Sequence, residues 1–275
     1  MCILCYKKKK NINYIHLHSC QKIKSINYKI NNIKYFNCQF TKLKNLKNIQ
    51  HNSLFYLLCQ YSTINYINYN LYNLIELNIK FTKINKLPNT LYNLKCLNIQ
   101  NTLITILPEN LYNLEILEAD NSKLYILPNN LNNIKKLFIR YSDIKNIYNT
   151  YKTLEYLDCS YTQINKLSDN FIELKSINCQ NTLINKLSDK YNKLEYLNCQ
   201  NTLINKLSDK YILLKELNIF NTNINNISHK YKLLRKIYFN SNFLQDKQKI
   251  QQYININFLI YHFKTKFKFI KKNKF

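Results

Sequence analysis

LKCLNIQNTLITILPENLYN, residues 94–113, is the stretch from which the fold can be read. Apolar side chains fall at Leu94, Leu97, Ile99, Ile104, Leu107 and Leu111, with Thr102 among them and Pro108 directly after Leu107. Leu97 and Ile99 alternate with polar Asn98, the period of a strand that buries one face. What remains is too short for a helix of about 10 to 12 residues with its turns. The chain must therefore return through extended backbone or a tight 3-10 turn.

Counting Leu94 as position 1, the same apolar position recurs every twenty residues at Leu54, Leu74, Leu94, Leu114, Ile134, Leu154, Leu174, Leu194, Leu214 and Leu234, without insertion or deletion. Two units of 21 residues, beginning at Ile12 and Ile33, precede that run. In places the repeat is literal: residues 178–191 and 198–211 both read NCQNTLINKLSDKY. A unit this short cannot bury its apolar edge alone, so it must stack on its neighbours, and the end units need covers. Three regions follow: an N-terminal cap at 1–11, twelve repeats over 12–244, and a C-terminal cap with a basic tail over 245–275. In the last region QDKQKIQQ at 245–252 suits a short polar helix, and Ile254, Phe258, Ile260 and Phe263 suit a degraded thirteenth unit. The closing KTKFKFIKKNKF suits a frayed end.

Written as L-x-x-L-x-I-x-x-T-x-I-x-x-L-P-x-x-L, the unit resembles the leucine-rich repeat, whose pattern is L-x-x-L-x-L-x-x-N/C-x-L. The resemblance spans residues 12–244. It implies a solenoid of the α/β class: a parallel β-sheet on the concave side, a mostly extended or 3-10 convex side, and few or no long α-helices. The asparagine- and isoleucine-rich texture, with Cys or Ile at position 6 and LP or LS at positions 14 and 15, looks most like the leucine-rich repeat proteins of giant amoeba-infecting DNA viruses.

One column departs from that family. Position 9, usually Asn, reads Thr41, Ser62, Thr82, Thr102, Ser122, Ser142, Thr162, Thr182, Thr202 and Thr222, and Asn242 restores the amide. A hydroxyl can donate and accept in a tight turn, so a Ser/Thr ladder tying the turns together is expected. Position 15 changes from Pro88, Pro108 and Pro128 to Ser168, Ser188, Ser208 and Ser228. Proline presets φ for a turn, and serine can bond its own backbone to the same end. Glycine is absent, so any left-handed turn residue is expected to be Asn, the next most tolerant type.

Apolar residues make up 46% of the 275, enough for a sizeable core. The 41 Lys and Arg against 15 Asp and Glu give a net charge of +26, a sign and size that point towards nucleic acid or an anionic membrane. Lysine is also favoured by the A- and T-rich codons that enrich Asn, Ile and Tyr, so its placement says more than its number. Residues 1–53 carry eleven lysines and no acid, and residues 243–275 carry eight lysines against Asp246. Nine cysteines at no framework spacing suit reduced thiols inside a cell, here the cytoplasm of a host. No run approaches the roughly 18 apolar residues of a membrane span. MCILCY is followed, not preceded, by Lys7 to Lys10, the reverse of a secretory signal. The expectation is a soluble monomer that does not cross a membrane.

Cys38, Cys59, Cys159, Cys179 and Cys199 occupy inward position 6 and read as small core side chains. Strands stack about 4.8 Å apart, so the last three should form a column. Cys2, Cys5, His16, His18 and Cys20 are potential soft ligands near the N-terminus, at spacings irregular for a zinc finger. Packing in a cap accounts for Cys2 and Cys5, and His16 and His18 fall at outward positions; whether this set binds metal stays open. Nothing calls for a cofactor. Glu118 and Asp120 share a face as acid and base would, but Asp120 should lie beside Arg140 as an ion pair. No glycine-rich loop or nucleophile-base pair accompanies them, so an enzyme is not expected.

Positions 3, 5, 7 and neighbouring 8 should face a partner. Position 5 runs Asn78, Asn98, Glu118, Phe138, Asp158, Asn178, Asn198, Asn218, and position 7 runs Lys80, Gln100, Asp120, Arg140, Ser160, Gln180, Gln200, Phe220. The candidate contact residues are the distinctive centre, Glu118, Asp120, Phe138, Arg140 and Asp158, with Asn178, Gln180, Asn198 and Gln200 beside it. Arginine and aromatic residues are typical anchors. Aromatics also collect at position 8, as Phe40, Tyr61, Phe81, Tyr141 and Tyr161, and at position 3, as Tyr35, Tyr56, Tyr156 and Tyr196. Codon-driven surface packing and a true binding patch describe them equally well. The expected function is a non-enzymatic scaffold that binds a protein through its open sheet face. The alternative is binding of RNA, DNA or anionic lipid through the basic ends, where Phe267 and Phe269 interleave with lysine.

Overall fold

A computed structural model describes residues 13–240 except 28, 50, 68, 69 and 149, together with the backbone of 259–261. The expected N-terminal cap at 1–11, the polar helix at 245–252 and the basic tail at 264–275 lie outside the described residues.

Each repeat supplies one three-residue strand at positions 3 to 5, from β1 (Tyr14–His16) to β12 (Lys236–Tyr238), and β13 (Leu259–Tyr261) follows. All are parallel and lie in one sheet in sequence order. The register is one whole unit per strand, so that Cys96, Leu97 and Asn98 pair with Ile116, Leu117 and Glu118. Among the described residues the helical content is one 3-10 turn, His51–Ser53. The rest of the return path is extended backbone broken by turns, such as that closed by the Leu114 N–H on the Leu111 carbonyl at 3.1 Å, with isolated parallel bridges from Ile30 to Ile49 and from Ile106 to Ile126. The architecture is thus a parallel β-solenoid with almost no helix. No helix among the described residues is long and apolar enough to cross a membrane.

The inward columns follow from the period of two in the strand and the fixed length of the unit. Leu97, Leu117, Leu137 and Leu157 at the strand centres, and Ile99, Ala119, Ile139 and Cys159 at position 6, are buried. Position 6 extends the ladder beyond the strand: Cys179 donates its N–H to the Asn198 carbonyl at 2.8 Å, and Cys199 to Asn218 at 2.9 Å. Each Leu or Ile so buried contributes about 1.5–3 kcal/mol. The cysteines are part of this core. Burial pushes the Cys179 thiol well above its ordinary range and Cys199 up to about 12, so neither is a thiolate at neutral pH.

The hydroxyl column works differently from the expected ladder. Thr41, Thr82, Thr102, Thr162, Thr182 and Thr202 each donate to the position 6 carbonyl of their own unit at 2.6–2.7 Å. A hydroxyl on a short stem reaches the carbonyl three residues back, so it locks a turn within one unit and does not tie two together. On the convex side other side chains do tie one unit to the next. Asn93, Asn113 and Asn133 donate to the carbonyls of Tyr72, Tyr92 and Tyr112 at 2.8–2.9 Å. Buried Tyr191 and Tyr211 each donate a phenol proton to the carbonyl of Ser168 or Ser188 one unit back, both at 2.8 Å. Those serines keep their own turn as expected, Ser168 Oγ accepting the Asn170 N–H at 3.0 Å and Ser188 Oγ the Lys190 N–H at 3.3 Å.

The left-handed residue also corrects the expectation. Position 8 has φ of 52–58° in every unit from Ser19 to Asn221. Asn fills it at 101, 121, 181, 201 and 221, but Phe40, Tyr61, Phe81, Tyr141 and Tyr161 fill it elsewhere. The backbone sets this conformation whatever the side chain, because the position 8 N–H turns back to the position 7 carbonyl of the next unit. Tyr61 bonds Lys80 at 3.1 Å and Asn181 bonds Gln200 at 2.9 Å in that way. For a bulky residue the left-handed region costs on the order of 1–3 kcal/mol.

Candidate functional site

Parallel sheets are ordinarily covered on both faces; here one face stays open. Along each strand the middle residue is buried and, in most units, the outer two are half-buried. All nine candidate contact residues are half-buried on this face. In the position 5 row Phe138 stands in register between Glu118 and Asp158.

Most of the carboxylates and amides there are already engaged. Glu118 Oε2 accepts from Asn98 Nδ2 at 2.5 Å and from Gln100 Nε2 at 3.3 Å. Asp158 accepts the Ser160 N–H and hydroxyl at 3.0 and 2.6 Å and the Asn178 amide at 3.0 Å. Asn178 and Asn198 accept the N–H of Gln180 and Gln200 two residues on, at 3.4 and 3.2 Å. Asn198 and Asn218 then donate to the Gln180 and Gln200 side chains, both at 3.1 Å. The amide tracts therefore brace the edge of the sheet, and their repetition in the sequence reflects that work.

Phe138 and Arg140 stand out against this network. Asp120 accepts the Arg140 N–H at 2.9 Å, and its other oxygen lies 3.6 Å from Arg140 Nε. The expected ion pair is present, but longer than a hydrogen bond, and the arginine side chain as a whole remains 43% exposed although its Nε is buried. Burial raises the Asp120 pKa, Arg140 opposes the shift, and Asp158 and Glu118 reinforce it. Arg140 also approaches the Tyr141 ring at 5.9 Å, and Tyr141 stacks on Tyr161 with centroids 4.3 Å apart. The centre is thus an aromatic and cationic cluster rimmed by carboxylates.

A second column, at position 2, alternates in sign through Lys95, Glu115, Lys135, Glu155, Lys175, Glu195 and Lys215. Glu115 pairs with Lys135 at 2.8 Å and Lys95 at 3.5 Å, and Lys175 and Lys215 pair with Glu155 and Glu195 at 2.6 Å. The hydrogen bond from Lys135 lowers the Glu115 pKa. A slip of one unit, which the identical stretches at 178–191 and 198–211 would otherwise tolerate, sets like charge on like. The alternation is visible in the sequence once the units are aligned. Glu115→Lys should cost about 1 kcal/mol in urea unfolding at low salt, and the loss should shrink as salt is added; a loss independent of salt would show that charge is not its cause.

Of the soft ligands, Cys2 and Cys5 lie outside the described residues. His16 and His18 are on the open face, His16 against the Tyr35 ring at 4.8 Å, and Cys20 packs against the core. Among the described residues no group of three or more His, Cys, Asp or Glu side chains converges as metal ligands would.

The sequence matches no protein-family model and no curated protein. Solved structures do match its shape. A leucine-rich repeat protein from Leptospira interrogans superposes with a TM-score of 0.71 at 19% identity, covering 84% of this chain and 72% of that one. The fold is that of a leucine-rich repeat solenoid. The functional domain of InlJ from Listeria monocytogenes, which includes a cysteine ladder, gives 0.69 at 19% identity over 75% of this chain and 48% of that one. This solenoid therefore spans about half the length of the Listeria chain. The leucine-rich repeat protein FLRT2, in an octameric complex with Latrophilin 3 and Unc5D, gives 0.61 at 17% identity over 92% of this chain and 84% of that one.

Proposed function

We propose that this leucine-rich repeat solenoid is a non-enzymatic scaffold that binds a protein partner through its open sheet face, centred on Phe138 and Arg140. The observation that carries the reading is the break in the amide network at that centre, where an aromatic ring and a half-exposed arginine side chain replace the braced Asn and Gln tracts. Arginine and aromatic side chains in such a setting are the usual anchors of an interface. Asp120, Glu118 and Asp158 orient the cluster and supply a polar rim. FLRT2 as part of a multiprotein complex is consistent with this use of the fold. On the texture of its repeats we place the chain with leucine-rich repeat proteins of giant amoeba-infecting viruses, acting in the host cytoplasm.

Affinity capture from amoebal lysate with the wild-type chain and with the triple variant Asp120→Ala, Phe138→Ala, Arg140→Ala tests the reading. The variant should lose about tenfold or more of its specific partners; an unchanged set would sink the central patch. A second reading, polyanion binding through the basic ends, rests on charge: seven lysines between residues 13 and 53 are exposed, with no acidic residue in that segment. Oligonucleotide binding near physiological salt that disappears on replacing those lysines by Gln, or on deletion of residues 264–275, would favour it.

A further inference from the structure

We propose that Phe40, Tyr61 and Phe81, on the edge of the open face in the N-terminal third, form a docking rail for an acidic, aromatic-containing peptide segment of a protein partner. This rests on the reading of the chain as a protein-binding scaffold, but it concerns a surface remote in sequence from the central patch.

The first argument is the choice of residue. All three residues have φ of 53–57°, where the same position in other units holds Asn101, Asn121, Asn181, Asn201 and Asn221, with Ser19, Tyr141 and Tyr161 in the rest. Asparagine tolerates that backbone far better than phenylalanine or tyrosine. The codon bias that enriches Tyr and Phe enriches Asn as well, so composition does not account for three consecutive aromatics at a strained site. Strain held at a solvent-facing position points to use.

The second argument is geometric. The rings stack face to face, Phe40 on Tyr61 at 4.7 Å and 6°, Tyr61 on Phe81 at 4.6 Å and 12°, and His18 meets Phe40 edge-on at 5.4 Å. All three remain 40–45% exposed. The two stacking contacts take four of the six ring faces and His18 meets Phe40, so a partner meets ring edges, the Tyr61 phenol and the outer side of Phe81. Edges carry the positive end of the ring quadrupole, which suits carboxylates and the faces of other aromatic rings. Successive nucleobases need successive ring faces to stack on, and both faces of Tyr61 are taken, which disfavours nucleic acid here.

The third argument is charge. Lys42 and Lys83 are exposed two residues beyond Phe40 and Phe81, Lys80 stands 5.8 Å from the centre of the Tyr61 ring, and no acidic residue occurs before Glu76. The rail is therefore flanked by cations and its complement is acidic.

The test replaces all three residues by what other units carry at the same φ: Phe40→Asn, Tyr61→Asn, Phe81→Asn in the full chain. Fluorescence anisotropy near physiological salt would use a labelled glutamate-tyrosine copolymer, with polyglutamate and an oligothymidylate as comparison probes. The wild type should prefer the copolymer, the triple variant should bind it about tenfold or more weakly, and the variant should melt at the same temperature or higher. The variant Asp120→Ala, Phe138→Ala, Arg140→Ala should retain copolymer binding, which separates failure of the rail from failure of the central patch. The proposal is overturned if the wild type does not bind the copolymer or prefers oligothymidylate, if the triple variant binds it unchanged, if the loss falls on the central variant instead, or if the triple variant melts lower, which would make the row a packing device.

Discussion

Leu117→Ala is expected to lower stability by about 2–5 kcal/mol and to turn one cooperative unfolding transition into two. Leu117 is fully buried, with Leu97 and Leu137 in register on either side. In a stack of this kind each unit contacts only its neighbours, so stability is a sum of units and the interfaces between them. A cavity in a central unit weakens both of its interfaces at once. The two halves then melt separately, as repeat arrays do when coupling fails. Ile15→Ala, an equally buried residue in β1, has one neighbouring strand, β2, among the described residues and should fray the end while leaving the main transition single. Urea and thermal unfolding followed by circular dichroism distinguish the two; identical single transitions for both variants would show that the stack does not behave as a chain of nearest neighbours.

Thr182→Val is expected to cost about 1–3 kcal/mol although it changes the shape of the side chain hardly at all. The Thr182 hydroxyl donates to the Cys179 carbonyl at 2.6 Å and the residue is buried. Valine fills the same space and leaves the carbonyl bond unmade, and the cost of a buried unpaired polar group exceeds the small net value of the bond itself. Thr182→Ser keeps the donor and should lose about 1 kcal/mol or less, since serine already does this work at Ser142, 2.7 Å from the Ile139 carbonyl. Denaturant midpoints that place valine level with threonine would mean that the hydroxyl column is incidental.

How much was legible beforehand differs from column to column. Positions 4 and 6 were clear, because a period of two combined with a period of twenty leaves one consistent way to face a core. The Ser-for-Pro exchange at position 15 was legible too, since its chemistry is local to a turn. The partner of each position 9 hydroxyl was not, because the same side chain suits a carbonyl in its own unit or in the next. Nor was the left-handed position: Asn fills it at 101 and 121, but Phe40 and Tyr61 in the same column hid it, since propensity argues against them. The candidate face was found from register alone. That Asn178 and Gln180 brace the sheet while Arg140 stays half-exposed depends on distances between strands twenty residues apart.

The sequence by itself determined the unit, its count over the regular run, the inward columns and the face left open, because identical units stacked in order have their geometry set by period and polarity. Only the tertiary structure decided which polar residues are spent on the scaffold and which stay half-exposed on the open face. The physical reason is that hydrogen bonds and ring contacts between units depend on angle and reach across a strand gap, which side-chain type alone does not specify. That is why the aromatics of position 8, ambiguous as letters, become in three dimensions a strained and stacked row with its edges turned to solvent.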